Sequence, residues 1–131
     1  RLLSISKKLN ISKNVKFLGY LNVSPEKIIK EFDLLAMCTK DFEAFGLTIG
    51  EAMKVKVPVI ATKVGAVNEW VKNDCAILVN PESPFEIKLA IENILLKKID
   101  IKSIKNNAYN LIQNYSGKKM AKNFYTLVNT Y

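Results

Sequence analysis

Short runs of uninterrupted apolar residues, each followed by a segment with helical spacing, constrain this chain more than any other feature. "DLLAMC" (33–38), "VPVIAT" (57–62) and "AILVNP" (76–81) are of this kind, and "NVKFLG" (14–19) reads as a fourth, the first in chain order. A strand with one wet face alternates apolar and polar residues; a strand covered on both faces does not need to. Between the runs stand helical patterns. "SPEKIIKEF" starts at Ser24 with Pro25 in its first turn, "GLTIGEAMKV" is cut off before Pro58, and "AVNEWV" is short. A further helix is predicted at 2–9, and only helices follow the last run, at 83–97, 101–114 and 116–130. Strands and helices in alternation predict an α/β fold: a doubly wound parallel sheet of about four strands with C-terminal helices. Residues 1–131 read as a single domain, with 91–131 mainly a helical tail.

At 131 residues the chain is long enough for one modest core. No apolar run approaches the roughly 20 residues of a membrane span. There is no histidine, which excludes imidazole catalysis and imidazole metal ligation within the chain. Cys38 and Cys75 lack metal or redox spacing. Cys38 ends an apolar run and reads as a buried small hydrophobe; a reduced, cytoplasmic setting is the expectation, with a disulfide the alternative. The net charge of +8 raises nucleic acid or an anionic membrane surface as partners. Arg1 is the only arginine among twenty basic residues, and base readout leans on the arginine fork. The reading is therefore no nucleic acid and a solvated lysine surface, with peripheral attraction to anionic lipid or substrate second. Arg1 stands where a complete chain would have Met, which suggests a piece of a longer protein.

"EAFGLTIGEAM" (43–53) carries the chemistry. Gly46 lies where a loop turns into a helix, and the first amides of a helix have no internal partner and carry its positive end. A glycine there lets an anion approach the backbone, at the carboxyl edge of the strand "DLLAMC". Glu43 precedes those amides, and Glu51 sits inside the helix. A carboxylate only accepts hydrogen bonds, and it can take two hydroxyl donors at once, as the vicinal diol of a sugar or ribose presents them. One anion site between two such carboxylates suits a nucleoside diphosphate with a sugar at each end. The alternative is a surface helix residue at 51 and a favourable N-terminal charge at 43.

"NVKFLGY", "FDLLAMCTKDFEAFGLTIGEAM", "VPVIATKVGAVNEWV" and "AILVNP" occur in one order at short separations. Together they resemble the C-terminal, donor-binding half of the retaining glycosyltransferases of sequence family 4, which have the Rossmann-like GT-B fold and an E-x7-E motif. The likeness spans about residues 14–97. It implies a partial GT-B C-terminal domain, and a parent enzyme of hexosyltransferase type for carbohydrate biosynthesis. Such an enzyme moves a sugar from a nucleotide diphosphate sugar to an acceptor with retention, using neither metal nor cofactor beyond the donor. It also implies roles. Glu43 would face the donor sugar as the catalytic carboxylate, orienting the donor and stabilising positive charge at its anomeric carbon. Glu51 would hold the ribose hydroxyls. Ala44, Phe45, Gly46 and Leu47 would approach the sugar and diphosphate, and Gly19 and Tyr20 would border the base. Without the resemblance, Gly19 is a strand stop and Tyr20 a half-buried aromatic. Glu69 matches the acidic residue of the family's "Gly-Gly-x-x-Glu" loop, or simply solvates a short helix.

The chain departs from the family at Lys54 and Lys56, where a small residue and a glycine are usual, and at Ala66 and Ala76, where glycines are usual. Lys56 is expected to strain or reshape the turn after its helix. The family's basic pair, which neutralises the diphosphate, and its N-terminal acceptor-binding domain have no counterpart in the sequence. The chain by itself is thus expected not to transfer sugar, to bind nucleotide at most weakly and to self-associate. The rivals are a nucleotide-sugar epimerase or phosphorylase, a nucleotide-binding module without catalysis, and a basic nucleic-acid binder.

Overall fold

The structure, a computed structural model, describes residues 1–130; Tyr131, the last residue of the expected helical tail, lies outside the described residues. Three strands, β1 (Leu35–Met37), β2 (Val59–Thr62) and β3 (Ile77–Val79), form a parallel sheet in the order β1-β2-β3. Leu35 pairs with Val59, and Ile60 with Ile77. Among the described residues seven α-helices accompany them: α1 (Leu2–Lys8), α2 (Pro25–Ile29), α3 (Leu47–Lys54), α4 (Val67–Trp70), α5 (Pro84–Leu95), α6 (Ile101–Ile112) and α7 (Gly117–Val128).

The central strand explains the uninterrupted apolar run, for all four residues of β2 are buried. Val59 and Ala61 face a core built with Ile49, Ala52 and Met53 of α3, Val67 and Trp70 of α4, and Ala108 and Ile112 of α6. Ile60 faces the other way, onto Val79 and Ala90 of α5. The α/β doubly wound architecture follows, with α3 and α4 crossing over one face and α5 returning on the other.

Helix ends follow local chemistry. Pro25 and Pro84 occupy first turns, where their missing N–H costs nothing. The Asp100 carboxylate accepts from Ser103 N at 3.0 Å, capping α6. After α3 the chain passes through Lys56 at φ 58, a left-handed conformation that a side chain adopts at a cost. The expected strain is therefore present at this turn, and the Lys56 ammonium rests 4.8 Å from the centre of the Tyr109 ring. Ala66, by contrast, has φ −67, which alanine adopts freely, so the missing glycine there distorts nothing.

Two expectations are corrected. "NVKFLG" is not a strand: Ser12–Asn14 is a 3-10 turn, and residues 15–19 join no ladder. Apolar content makes a strand only where a neighbour accepts its backbone bonds, and β1 pairs with β2 alone. Cys38 is exposed rather than buried, because it lies just past an edge strand. Cys75 is buried, and both thiols are free. Burial first, then the neighbouring Asp74 carboxylate, pushes the Cys75 thiol up to about 11. A thiolate is the reacting species. A disulfide-exchange reagent at pH 8 should therefore modify Cys38 in the native protein and Cys75 only after unfolding. Equal labelling rates would contradict this burial pattern.

Candidate functional site

The site is built by two loops that leave the carboxyl edge of neighbouring parallel strands. The first runs from β1 to α3 and carries Glu43, Ala44, Phe45 and Gly46. The second runs from β2 to α4 through Gly65 and Ala66. Because β1 and β2 are paired in parallel, both loops emerge side by side. The Thr62 hydroxyl, at the end of β2, donates to Thr39 O at 2.6 Å and holds the start of the first loop.

Gly46 caps α3 with φ 78, in the left-handed region that glycine tolerates. Its carbonyl accepts from Ile49 N and Gly50 N. The N–H groups of Leu47 and Thr48, in the first turn, have no acceptor among the described residues. Both residues are exposed, and unpartnered amides at a helix start are the donors an anion site uses. The Glu43 carboxylate accepts from Gly46 N at 2.9 Å. The favourable N-terminal charge read from the sequence is thus a real hydrogen bond, and it places the carboxylate beside the free amides. Ala44 is exposed, while Phe45 is half-buried.

Glu51 is half-buried on α3, one face round from that loop. It lines a cavity of about 370 Å³ with Gly19, Tyr20, Leu21, Pro25 and Thr48. It also lines a smaller one of about 160 Å³ with Phe45 and Leu47, closed at its rim by Lys54 and Glu26, 3.3 Å apart. The structure therefore brings Gly19, Tyr20 and Glu51 together, and Glu51 with Phe45 and Leu47. Glu43 lines neither cavity. Gly19 has φ 66 and open space where a Cβ would stand, so it turns the chain and does not stop a strand. Tyr20 is 90% exposed and is not the half-buried aromatic considered above. Glu69 is exposed on α4.

Sequence reasoning passed over Gly65, Trp70 and Tyr115. A Cβ on Gly65 would stand 2.2 Å from Glu43 O. Ala66 N donates to that same carbonyl at 3.1 Å. Trp70 Nε1 donates to Phe45 O at 2.8 Å, and its ring stacks on Phe45 with centroids 4.9 Å apart. Tyr115, between α6 and α7, meets Trp70 at 5.2 Å and Phe45 at 5.8 Å. The available signal was the lone tryptophan of the chain, a few residues after a glycine-containing loop.

A parallel sheet with helices packed on both faces and loops leaving its carboxyl edge is the partial Rossmann-like architecture found in GT-B glycosyltransferases. The chain belongs to the family of glycosyl transferases group 1, whose model matches residues 1–111. It is 30% identical over 117 residues to the uncharacterized glycosyltransferase MJ1607 of Methanocaldococcus jannaschii, covering 87% of this chain and 30% of that protein. Its structure is similar to that of Alr3699/HepE of Anabaena, solved in complex with UDP (TM-score 0.90, 25% identity, 99% of this chain and 36% of that one). It is also similar to the C-terminal domain of the group 1 glycosyl transferase LpcC of Francisella tularensis (TM-score 0.66, 30% identity, 86% of this chain and 59% of that one). The chain thus spans about a third of the length of MJ1607 and of HepE. Among the described residues no helix is long and apolar enough to cross a membrane.

Proposed function

We propose that this chain is the donor-binding part of a retaining glycosyltransferase that uses a nucleotide diphosphate sugar. The observation that carries the reading is the pair of unpartnered amides on Leu47 and Thr48, set between the Glu43 carboxylate and the Glu51 cavity. The UDP held by HepE supports it. On this reading the diphosphate sits at the α3 N-terminus, the ribose hydroxyls reach Glu51, and the base lies by Gly19 and Tyr20. Glu43 exchanges its bond to Gly46 N for hydroxyls of the donor sugar. As the glycosidic bond to the diphosphate breaks, positive charge grows on the sugar ring and negative charge on the leaving oxygens. The Glu43 carboxylate opposes the first and the helix amides the second, both preorganised. The acceptor would be held by other parts of a longer protein.

Titration of the chain with UDP and with a single-stranded oligonucleotide, at two salt concentrations, tests the reading. Saturable UDP binding with little salt dependence is expected. Oligonucleotide binding that falls steeply with salt, without UDP binding, would instead identify a nucleic-acid interface.

In the full-length enzyme, Glu43→Gln should lower kcat more than donor affinity, because the lost charge acts mainly on the cationic transition state. A loss of about 100–1,000-fold is the scale for one preorganised electrostatic group. Unchanged turnover in that variant would remove Glu43 from catalysis. A full-length protein that binds UDP and transfers nothing would be a binding module.

A further inference from the structure

The peptide unit joining Phe45 to Gly46 is bonded at both ends. Its carbonyl accepts from Trp70 Nε1 at 2.8 Å, and its N–H donates to Glu43 Oε1 at 2.9 Å. These two bonds differ in kind. Trp70 is 5% exposed, stacked nearly flat on Phe45 with 7° between the planes, and covered by Tyr115. Its donor is held by core packing. The Glu43 side chain is only half-buried and can leave. Glycine accepts either sign of φ, so rotation of this peptide plane is inexpensive at Gly46 unless one end is fixed. A rotated plane would turn the Gly46 N–H inward and set the carbonyl oxygen, an acceptor, beside the amides of Leu47 and Thr48. That would repel an anion.

We propose that Trp70 is a positioning residue: its indole N–H holds the Phe45 carbonyl away from the ligand, so that the Gly46 N–H remains turned toward the diphosphate when Glu43 releases it. This inference rests on the donor-site reading above for the identity of the ligand. The lock on the peptide plane exists without any ligand.

The test uses the 15N-labelled 131-residue chain, whose single tryptophan gives one indole N–H resonance. In the wild type that proton should exchange with solvent at least tenfold more slowly than in free tryptophan, and the Gly46 amide should be similarly protected. Trp70→Phe keeps an aromatic ring on Phe45 and removes the donor, together with part of the ring volume. It should speed Gly46 amide exchange at least tenfold and leave the β2 amides of Ile60 and Ala61 at their wild-type rates. It should also weaken UDP about tenfold and leave uridine, which has no phosphate, unchanged. A general loss of packing would instead speed all these amides together. A folded Trp70→Phe chain with wild-type Gly46 exchange overturns the proposal. If the variant does not fold, the wild-type indole proton decides: protection supports the lock, and exchange at the free rate overturns it. A wild-type chain that binds no UDP refutes the donor-site reading and leaves the exchange results to judge the lock.

Discussion

Gly65→Ala is expected to destabilise the protein by about 2–5 kcal/mol and to displace the loop that carries Glu43. Gly65 has φ +51, and a Cβ there would lie 2.2 Å from Glu43 O and 3.0 Å from Glu43 C and N. The three nearest atoms are all backbone, so relief cannot come from a flexible side-chain end swinging aside. The left-handed conformation costs a residue with a Cβ roughly 1–2 kcal/mol, and overpacking typically adds about 1–3 kcal/mol. Relief requires the two loops to separate, which breaks the bond from Ala66 N to Glu43 O. Denaturant unfolding should show a lower midpoint, with the slope unchanged if the fold survives. Donor affinity should fall in the folded fraction too, because Glu43 moves with its carbonyl. Ala66→Gly is the control: its φ of −67 demands no glycine, and the change should cost no more than about 1 kcal/mol. Wild-type stability in Gly65→Ala would mean that the two loops do not touch as described.

Glu51→Ala should weaken nucleotide binding by about 1.5–3 kcal/mol, the range for hydrogen bonds to a charged group. That corresponds to a loss of roughly ten- to more than a hundredfold in affinity. The side chain lines the cavity shared with Gly19 and Tyr20, where a carboxylate can accept both hydroxyls of a ribose. The diagnostic is the interaction of two changes. The wild type should bind 2′-deoxy-UDP poorly, while Glu51→Ala should scarcely distinguish it from UDP. The fold should tolerate the change, since Glu51 is half-buried and alanine is the best helix former. Equal wild-type affinities for the ribo and deoxy forms would dismiss ribose recognition by this residue.

Much of this architecture is local, and local chemistry is legible in a sequence. Three uninterrupted apolar runs announced parallel strands, but only β2 is buried at every position; β1, at the edge, is half-buried with Ala36 exposed, and β3 is half-buried at Ile77 and Leu78. Pro25 in the first turn marked where α2 begins. Glu43, Gly46 and Glu51 could be placed because they belong to one loop–helix unit. Within that unit, spacing alone sets which groups precede the helix amides and which lie along its flank. The Lys56 turn was expected from the resemblance, in which a glycine is usual there, and its left-handed φ of 58 is present.

Other features depended on residues distant in sequence, and only the tertiary structure decided them. "NVKFLG" has the composition of a strand but no neighbour in the sheet. Cys38 ends an apolar run yet lies beyond an edge strand, so it is exposed. The contact of Gly65 with Glu43 and the bond from Trp70 to Phe45 join residues more than twenty positions apart. They exist because β1 and β2 are parallel neighbours, so the loops after them leave the same edge. Gly19 and Tyr20 reach the Glu51 cavity for a similar reason, since α2 packs against α3 and brings the preceding segment with it. The sequence by itself determined most of the elements and the chemical groups of the proposed donor site. Tertiary structure decided which of those groups meet and what holds them, because strand pairing and helix packing, unlike spacing along the chain, juxtapose residues regardless of their separation.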